Sequence, residues 1–119
     1  MYLCIMNWQE LETQAQLEQI DRESAQRPVL LFKHSTRCGI SSAALGRLER
    51  KWQAQDSEKI TPYFLDLIRH RDISGAIAAH YTIPHESPQV LLIKNGVCVY
   101  SATHLGIDYD EILENIPSE

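Results

Sequence analysis

Pro28 is followed by Val29-Leu30-Leu31-Phe32, an unbroken apolar run, and shortly afterwards Cys38 opens a stretch in which Ile40, Ala44, Leu48 and Trp52 recur every fourth residue. Four apolar residues directly behind a proline are too few for a buried helix and fit a strand covered on both faces. Residues 29–34 are therefore expected as a central strand. The four-residue recurrence, with Arg, Glu and Lys on the other side, predicts an amphipathic helix over about 38–55. A strand buried on both faces needs helices above and below it, so most other chain architectures are excluded at once.

The rest of the chain supplies the remaining parts. Thr13 and Gln16 form a T-x-x-Q capping box ahead of Leu17, Ile20 and Ser24, which predicts a helix over about 14–25, ended by Gln26, Arg27 and Pro28. Thr61-Pro62-Tyr63-Phe64-Leu65-Asp66 reads as a short strand, and Asp72 to Tyr81, with Ile73 and Ile77 one turn apart, as a helix. Residues 89–94 and 97–101 flank Asn95-Gly96, a dipeptide that accepts positive φ at both central positions of a tight hairpin turn. Asp108 and Glu111 form a second capping box before Ile112, Leu113 and Ile116, and Pro117 stops that helix. The order α-β-α-β-α-β-β-α, with a right-handed crossover between the first two strands, predicts an α/β fold: one four-stranded mixed sheet with helices on both faces. Residues 7–119 are expected to form that single domain, and residues 1–6 an extension or frayed end.

Composition narrows the function. With 11 Lys and Arg against 16 Asp and Glu, the chain carries −5 with its signs interspersed, unlike the basic face that a nucleic acid or an anionic membrane demands. No apolar run reaches the roughly 20 residues of a membrane span, so a cytoplasmic protein is expected. Three cysteines at irregular spacing, Cys4, Cys38 and Cys98, do not make a disulfide framework. Cys98, alternating with Val97 and Val99, is expected in the core, and Cys4 on a mobile end.

Cys38 stands apart because it lies where a buried strand hands over to a helix start. The unpaired N–H groups and dipole of that start favour an anion, Arg37 adds positive charge, and Lys33 and His34 are close in sequence. Together these favour thiolate, the attacking form in thiol–disulfide exchange; a half-buried structural cysteine is the plainer alternative. Ser35-x-x-Cys38 superficially matches a peroxidatic motif but lacks its upstream proline. His34-x3-Cys38 finds no second ligand pair at zinc-site spacing, so no metal is expected. His70, His80 and His85 read as surface or half-buried histidines.

The order of elements, the strand-Cys38-Gly39-x-Ser41-helix junction and the stretch Ile83–Gly96, with Pro88 directly before an apolar strand, resemble the thioredoxin superfamily over nearly the whole chain. The phrases FKHSTRCGIS, FLDLIRHRDIS and SPQVLLIKNG further resemble the bacillithiol-system monothiol family, the YtxJ-like proteins. The resemblance implies a thioredoxin-like fold with Cys38 as the attacking cysteine and Ser41 where the resolving cysteine would stand. It also implies that Pro88 is a cis-proline whose preceding residue, Ser87, offers its backbone to an extended substrate. Arg37, Gly39 and Ser41 become supporting residues, Ser41 as a hydrogen-bond donor to the sulfur; Thr36, Ser87, Pro88 and His104 become substrate contacts.

The chain departs from thioredoxin in carrying Phe32 in place of a buried carboxylate, Arg37 in place of a tryptophan and Ile40 in place of the motif's proline. A single thiol cannot resolve its own mixed disulfide. The expected function is therefore a monothiol thiol–disulfide oxidoreductase acting on mixed disulfides between client proteins and a small thiol. The expected co-substrate is bacillithiol or a similar small thiol, with no tightly bound cofactor and a monomer or weak dimer as the working form. Two alternatives are an iron–sulfur cluster carrier, since C-G-x-S also resembles monothiol glutaredoxins, and a non-catalytic redox sensor or adaptor.

Overall fold

The structure, a computed structural model, describes residues 7–116. Its elements are β1 (Gln9–Glu10), α1 (Gln16–Glu23), β2 (Val29–His34), α2 (Gly39–Lys51), α3 (Asp56–Lys59), β3 (Thr61–Asp66), α4 (Arg71–Tyr81), β4 (Gln89–Lys94), β5 (Val97–Thr103) and α5 (Tyr109–Glu114), with a 3₁₀ turn at His104–Gly106 before the last helix. Residues 1–6, with Cys4, and Pro117 lie outside the described residues.

The sheet has five strands in the order β1-β3-β2-β4-β5, rather than the expected four. The added strand runs parallel to β3, with Gln9 opposite Tyr63 and Glu10 opposite Phe64. Two exposed polar residues carry no strand pattern of their own. Their neighbours hold them there: Leu11 is buried and donates its N–H to Phe64 O at 2.9 Å, and Trp8 packs edge-on against Phe32 and Phe64. The remaining strands follow expectation. β2 pairs parallel with β3 and antiparallel with β4, which makes it central, and β5 returns antiparallel on β4.

Alternation along β2 sends Val29 and Leu31 to one face and Leu30 and Phe32 to the other. The first pair joins Leu17 and Ile20 of α1 and Ile73 and Ile77 of α4. The second joins Ala44 and Leu48 of α2, Trp52 beyond its end, and Ile112 of α5. Each buried Val, Leu, Ile or Phe among them contributes about 1.5–3 kcal/mol of transfer free energy. That double cover makes this sequence an α/β sandwich.

Helix α2 stops at Lys51, short of the expected 55. Trp52 turns to extended backbone while staying in the same core, so the apolar spacing outlasts the helix that it suggested. The buried Asp56 carboxylate then accepts from Gln53 N–H at 2.8 Å and from the Tyr109 hydroxyl at 2.5 Å, fixing the turn into α3. At the start of α1 the Gln16 side chain accepts from the N–H of Glu12 and Thr13, so half of that capping box forms as read. At α5 the Asp108 carboxylate accepts from Glu111 N–H at 3.1 Å.

The Asn95-Gly96 turn has positive φ at both residues, 53° and 74°, the conformation in which a two-residue loop matches strand twist. Ser24, fully buried after α1, ties this turn down. Its carbonyl accepts from Asn95 N–H at 3.0 Å, and its hydroxyl accepts from Gly96 N–H at 2.8 Å while donating to Asp21 O. Ser24→Ala leaves the Gly96 N–H without its acceptor and is expected to cost about 1–3 kcal/mol, read as a lower urea midpoint with unchanged slope. A shift under a few tenths of a kcal/mol would show that water replaces the hydroxyl there.

Candidate functional site

The end of β2 and the start of β4 lie side by side, Lys33 pairing with Gln89, and the loops that leave this end of the sheet carry most of the expected site. After His34 the chain turns, with Cys38 N–H donating to Ser35 O at 3.1 Å, and Cys38 becomes the N-cap of α2 at φ −111° and ψ 116°. The first-turn N–H groups beside an N-cap lack intrahelical acceptors, and the Cys38 side chain makes no cap hydrogen bond to them. Here the N–H groups of Gly39, Ile40 and Ser41 meet no backbone acceptor among the described residues. The thiol is part-exposed, while Thr36, Arg37, Gly39 and Ile40 around it are open to solvent. A side chain added at Gly39 would meet nothing within 4 Å, so the space beside the sulfur is free on that flank.

The Ser87–Pro88 peptide bond is cis. Pro88 O accepts from His104 N–H at 3.1 Å, which joins the proline loop to the 3₁₀ turn, and that turn packs against α2. Among the described residues no backbone hydrogen bond engages Ser87, and its buried hydroxyl has no partner. His104 adopts a left-handed φ of 50°, and its backbone, rather than its imidazole, is what the structure ties to Pro88.

Three expectations about the surroundings of Cys38 need correction. Ser41 is fully buried and turned inward: its hydroxyl shares a 2.6 Å hydrogen bond with His34 Nδ1 and accepts from Ser35 N–H at 3.1 Å. Its hydroxyl is engaged by those two groups rather than by the sulfur. His34 is buried too, against Phe32 and Phe64, and burial pushes its pKa below the ordinary imidazole value against the weaker pull of Asp66 and Glu49. It is neutral at pH 7 and brings no positive charge to Cys38. Lys33 alternates to the other face of the sheet, where its Nζ lies 3.2 Å from His85 Nδ1. Of the nearby cations, Arg37 alone shares the exposed loop.

Cys98 is half-buried on β5, packs with the α1 and α4 layer, and donates to Tyr100 O at 3.3 Å. Burial pushes its thiol pKa up. It pairs with Ile93, which pairs with Val29, so it lies level with the start of β2, five residues or about 17 Å of strand from His34. A disulfide needs Cα atoms within about 7 Å, and Cys98 is therefore no resolving partner for Cys38. Of the other histidines, His80 pairs with Asp21 at 2.6 Å on the surface, whereas His85 bridges Lys33 and Ser74, the latter at 3.0 Å.

The family described as monothiol bacilliredoxin BrxC matches residues 9–112. This chain belongs to the monothiol bacilliredoxin family. A solved structure described as an oxidoreductase candidate with a thioredoxin fold superposes with a TM-score of 0.83 at 28% identity, covering 96% of this chain and 98% of the other. Malassezia sympodialis thioredoxin, at 18% identity and a TM-score of 0.70 over 96% and 91% of the two chains, and Fasciola hepatica thioredoxin, at 21% and 0.66 over 89% and 93%, share the fold. The architecture is thus a thioredoxin fold with β1 as a fifth strand, and family and neighbour together support a thiol oxidoreductase. No helix among the described residues is long and apolar enough to cross a membrane.

Proposed function

We propose that this monothiol bacilliredoxin removes a small thiol, bacillithiol or a close analogue, from S-thiolated client proteins by transfer to Cys38. The observation that carries the reading is one part-exposed sulfur at a helix start, at the sheet end that carries a cis-proline, with the position three residues on filled by a buried, hydrogen-bonded serine. In the first step the Cys38 thiolate attacks the small-thiol sulfur of the mixed disulfide. That S–S bond breaks, a new one forms on Cys38, and the client leaves as a thiolate with the electron pair. Among the described residues no second thiol is in reach, so a further small thiol from solution attacks Cys38's disulfide, leaving as the symmetrical disulfide and restoring the thiolate.

The exchange conserves oxidation state at each step, and the residues present need no cofactor to perform it. The unpaired amides of Gly39, Ile40 and Ser41 supply positive potential at the sulfur. Ser87, with its N–H and C=O unengaged, offers an extended client segment backbone partners, as the family resemblance implies, with Thr36 and His104 on either side. The exposed side chains of Ile40 and Leu105, at 49% and 82%, give the client apolar surface to cover. The client and regenerating thiols then act in the cytoplasm, where reduced small thiols are abundant.

The test is an intact-mass time course with a client protein carrying one small thiol in mixed disulfide. The expected result is loss of the mass from the client and gain of one equal mass on this protein, mapped to the Cys38 peptide and cleared only when free thiol is added. A client that keeps its adduct through many equivalents of reduced protein would sink the reading.

A further inference from the structure

Against the loop that leads into Cys38 lies an open groove of about 530 Å³ that the exchange chemistry leaves unassigned. Its walls come from three places: Ser35 and Arg37 before Cys38, Leu67 and Ile68 after β3, and Arg71, Ser74 and Gly75 at the start of α4, with His85 closing one side. The Asp66 carboxylate shapes the second wall by accepting from the N–H groups of Ile68 and Arg69, and Leu67 N–H donates to His34 O at 2.9 Å. In a chain with a net charge of −5, this groove is lined by two arginines and by no aspartate or glutamate. Neither Arg37 nor Arg71 has an ion-pair or hydrogen-bond partner among the described residues.

Behind the wall sits a third cation. Lys33 is wholly buried, and its Nζ lies against His85 Nδ1, the same atom that Ser74 Oγ approaches at 3.0 Å. Among the described residues no carboxylate comes within 4 Å of it; Glu86, beside His85, acts on it from farther off. A buried ammonium whose one close side-chain partner among the described residues is an imidazole is poorly compensated, and that imidazole, His85, lines the groove.

We infer that the groove between Arg37 and Arg71 is the seat of the carboxylate-bearing end of the small thiol whose sulfur is exchanged at Cys38. The inference rests on the exchange reading above and assigns Arg37 and Arg71 as the residues that select an anionic thiol over a neutral one. Arg37 sits one residue from the nucleophile, so a thiol bound by its acidic end presents its sulfur toward Cys38 with little loss of freedom. Planar guanidinium forks suit carboxylates better than point charges do. Lys33, its Nζ against His85, adds positive potential behind the groove that Glu86 offsets only from a distance.

The probes are two symmetrical disulfides of similar size, dianionic 3,3′-dithiodipropionate and neutral 2-hydroxyethyl disulfide. Each reacts with Cys38 by the same balance: the probe's S–S bond breaks, Cys38 gains half, and one thiolate leaves. The quantity read is the anionic-to-neutral ratio of second-order rates at low salt, each rate divided by that of free cysteine with the same probe. The expected ratio is well above one, falling about tenfold in Arg71→Gln and staying near wild type in Arg69→Gln, an arginine outside the groove. A ratio near one in the wild type, or equal falls in both variants, overturns the groove assignment while Cys38 still reacts. A wild-type protein that reacts with neither probe overturns the exchange reading and this inference together.

Discussion

Ser41→Cys is expected to shorten the life of a small-thiol adduct on Cys38 by two or more orders of magnitude. In the native chain the adduct waits for a collision with dissolved thiol, because the residue three positions on is a serine whose hydroxyl is engaged by His34 and Ser35. A thiol at that position reaches the Cys38 sulfur from within the same helical turn, and well-placed intramolecular groups act as if present at concentrations far beyond any solute. The product is a disulfide between the two positions, with the small thiol released.

His34 makes the effect larger. Its Nδ1 lies 2.6 Å from the Ser41 oxygen, and a neutral imidazole there is placed to take the proton from the new thiol, the task for which thioredoxins keep a carboxylate where this chain has Phe32. Losing the serine's hydrogen bonds costs about 1–2 kcal/mol of stability, which a folded domain tolerates. Intact mass against time, without added reductant, reads the outcome. An adduct as long-lived as in the wild type would mean that position 41 does not face the sulfur at all. Ser41→Ala serves as the comparison and should leave the lifetime unchanged.

Lys33→Met is expected to stabilise the protein at neutral pH by about 2–3 kcal/mol, or roughly 10 °C in Tm for a chain of this size. Burial lowers the Lys33 pKa from 10.5 to about 8, against a smaller opposing pull from Glu86. Its charged form is therefore worse off in the folded state than in the unfolded one. Below about pH 8 both states hold the proton and the whole penalty applies. Between about pH 8 and 10.5 the unfolded chain still binds a proton that the folded chain has released, so native stability gained from this residue rises with pH.

The methionine variant's advantage should accordingly shrink toward zero by about pH 10.5. Tyr63 and Tyr109, both raised to about 12, titrate alike in the two proteins and drop out of the difference. Urea melts at pH 7 and pH 10 decide it: an advantage equal at both values would trace the gain to packing rather than to charge. A cation kept at such a cost fits a functional use, and the groove beneath which it lies provides one.

The two predictions mark where sequence reading stops. Strands β2 to β5 were legible because each is an apolar or alternating run bounded by turn residues. Cys38 was legible because the boundary from strand to helix is enough to define its setting, and the cis Pro88 only through the resemblance to the thioredoxin superfamily, since a proline that opens a strand is ordinarily trans. β1 was not, since Gln9 and Glu10 are strand residues only through what Trp8 and Leu11 bury on either side of them. The end of α2 misled for the converse reason: Trp52 keeps the four-residue rhythm and the core position without the helix.

Within the site, proximity in sequence was a poor guide to proximity in space. Lys33 and His34 are consecutive and point to opposite faces, one to His85, 52 residues on, the other to Ser41. Neither reaches out beside Cys38, which is four or five residues away. The groove is assembled from loops after β2, β3 and α4 and from the first turns of α4, and no local pattern in any of them announces Arg71 or His85 as neighbours of Arg37.

The irregularity where β5 passes Leu92 and Ile93 has a bearing on redox fidelity. Cys98 and Tyr100 are two residues apart and would face the same way in an unbroken ladder. With Val99 inserted between their partners, Cys98 serves the α1 layer and Tyr100 the α2 layer. One residue of slack thus puts the second sulfur behind the sheet as seen from the first. With the two described thiols so partitioned, oxidation of Cys98 is not passed to Cys38.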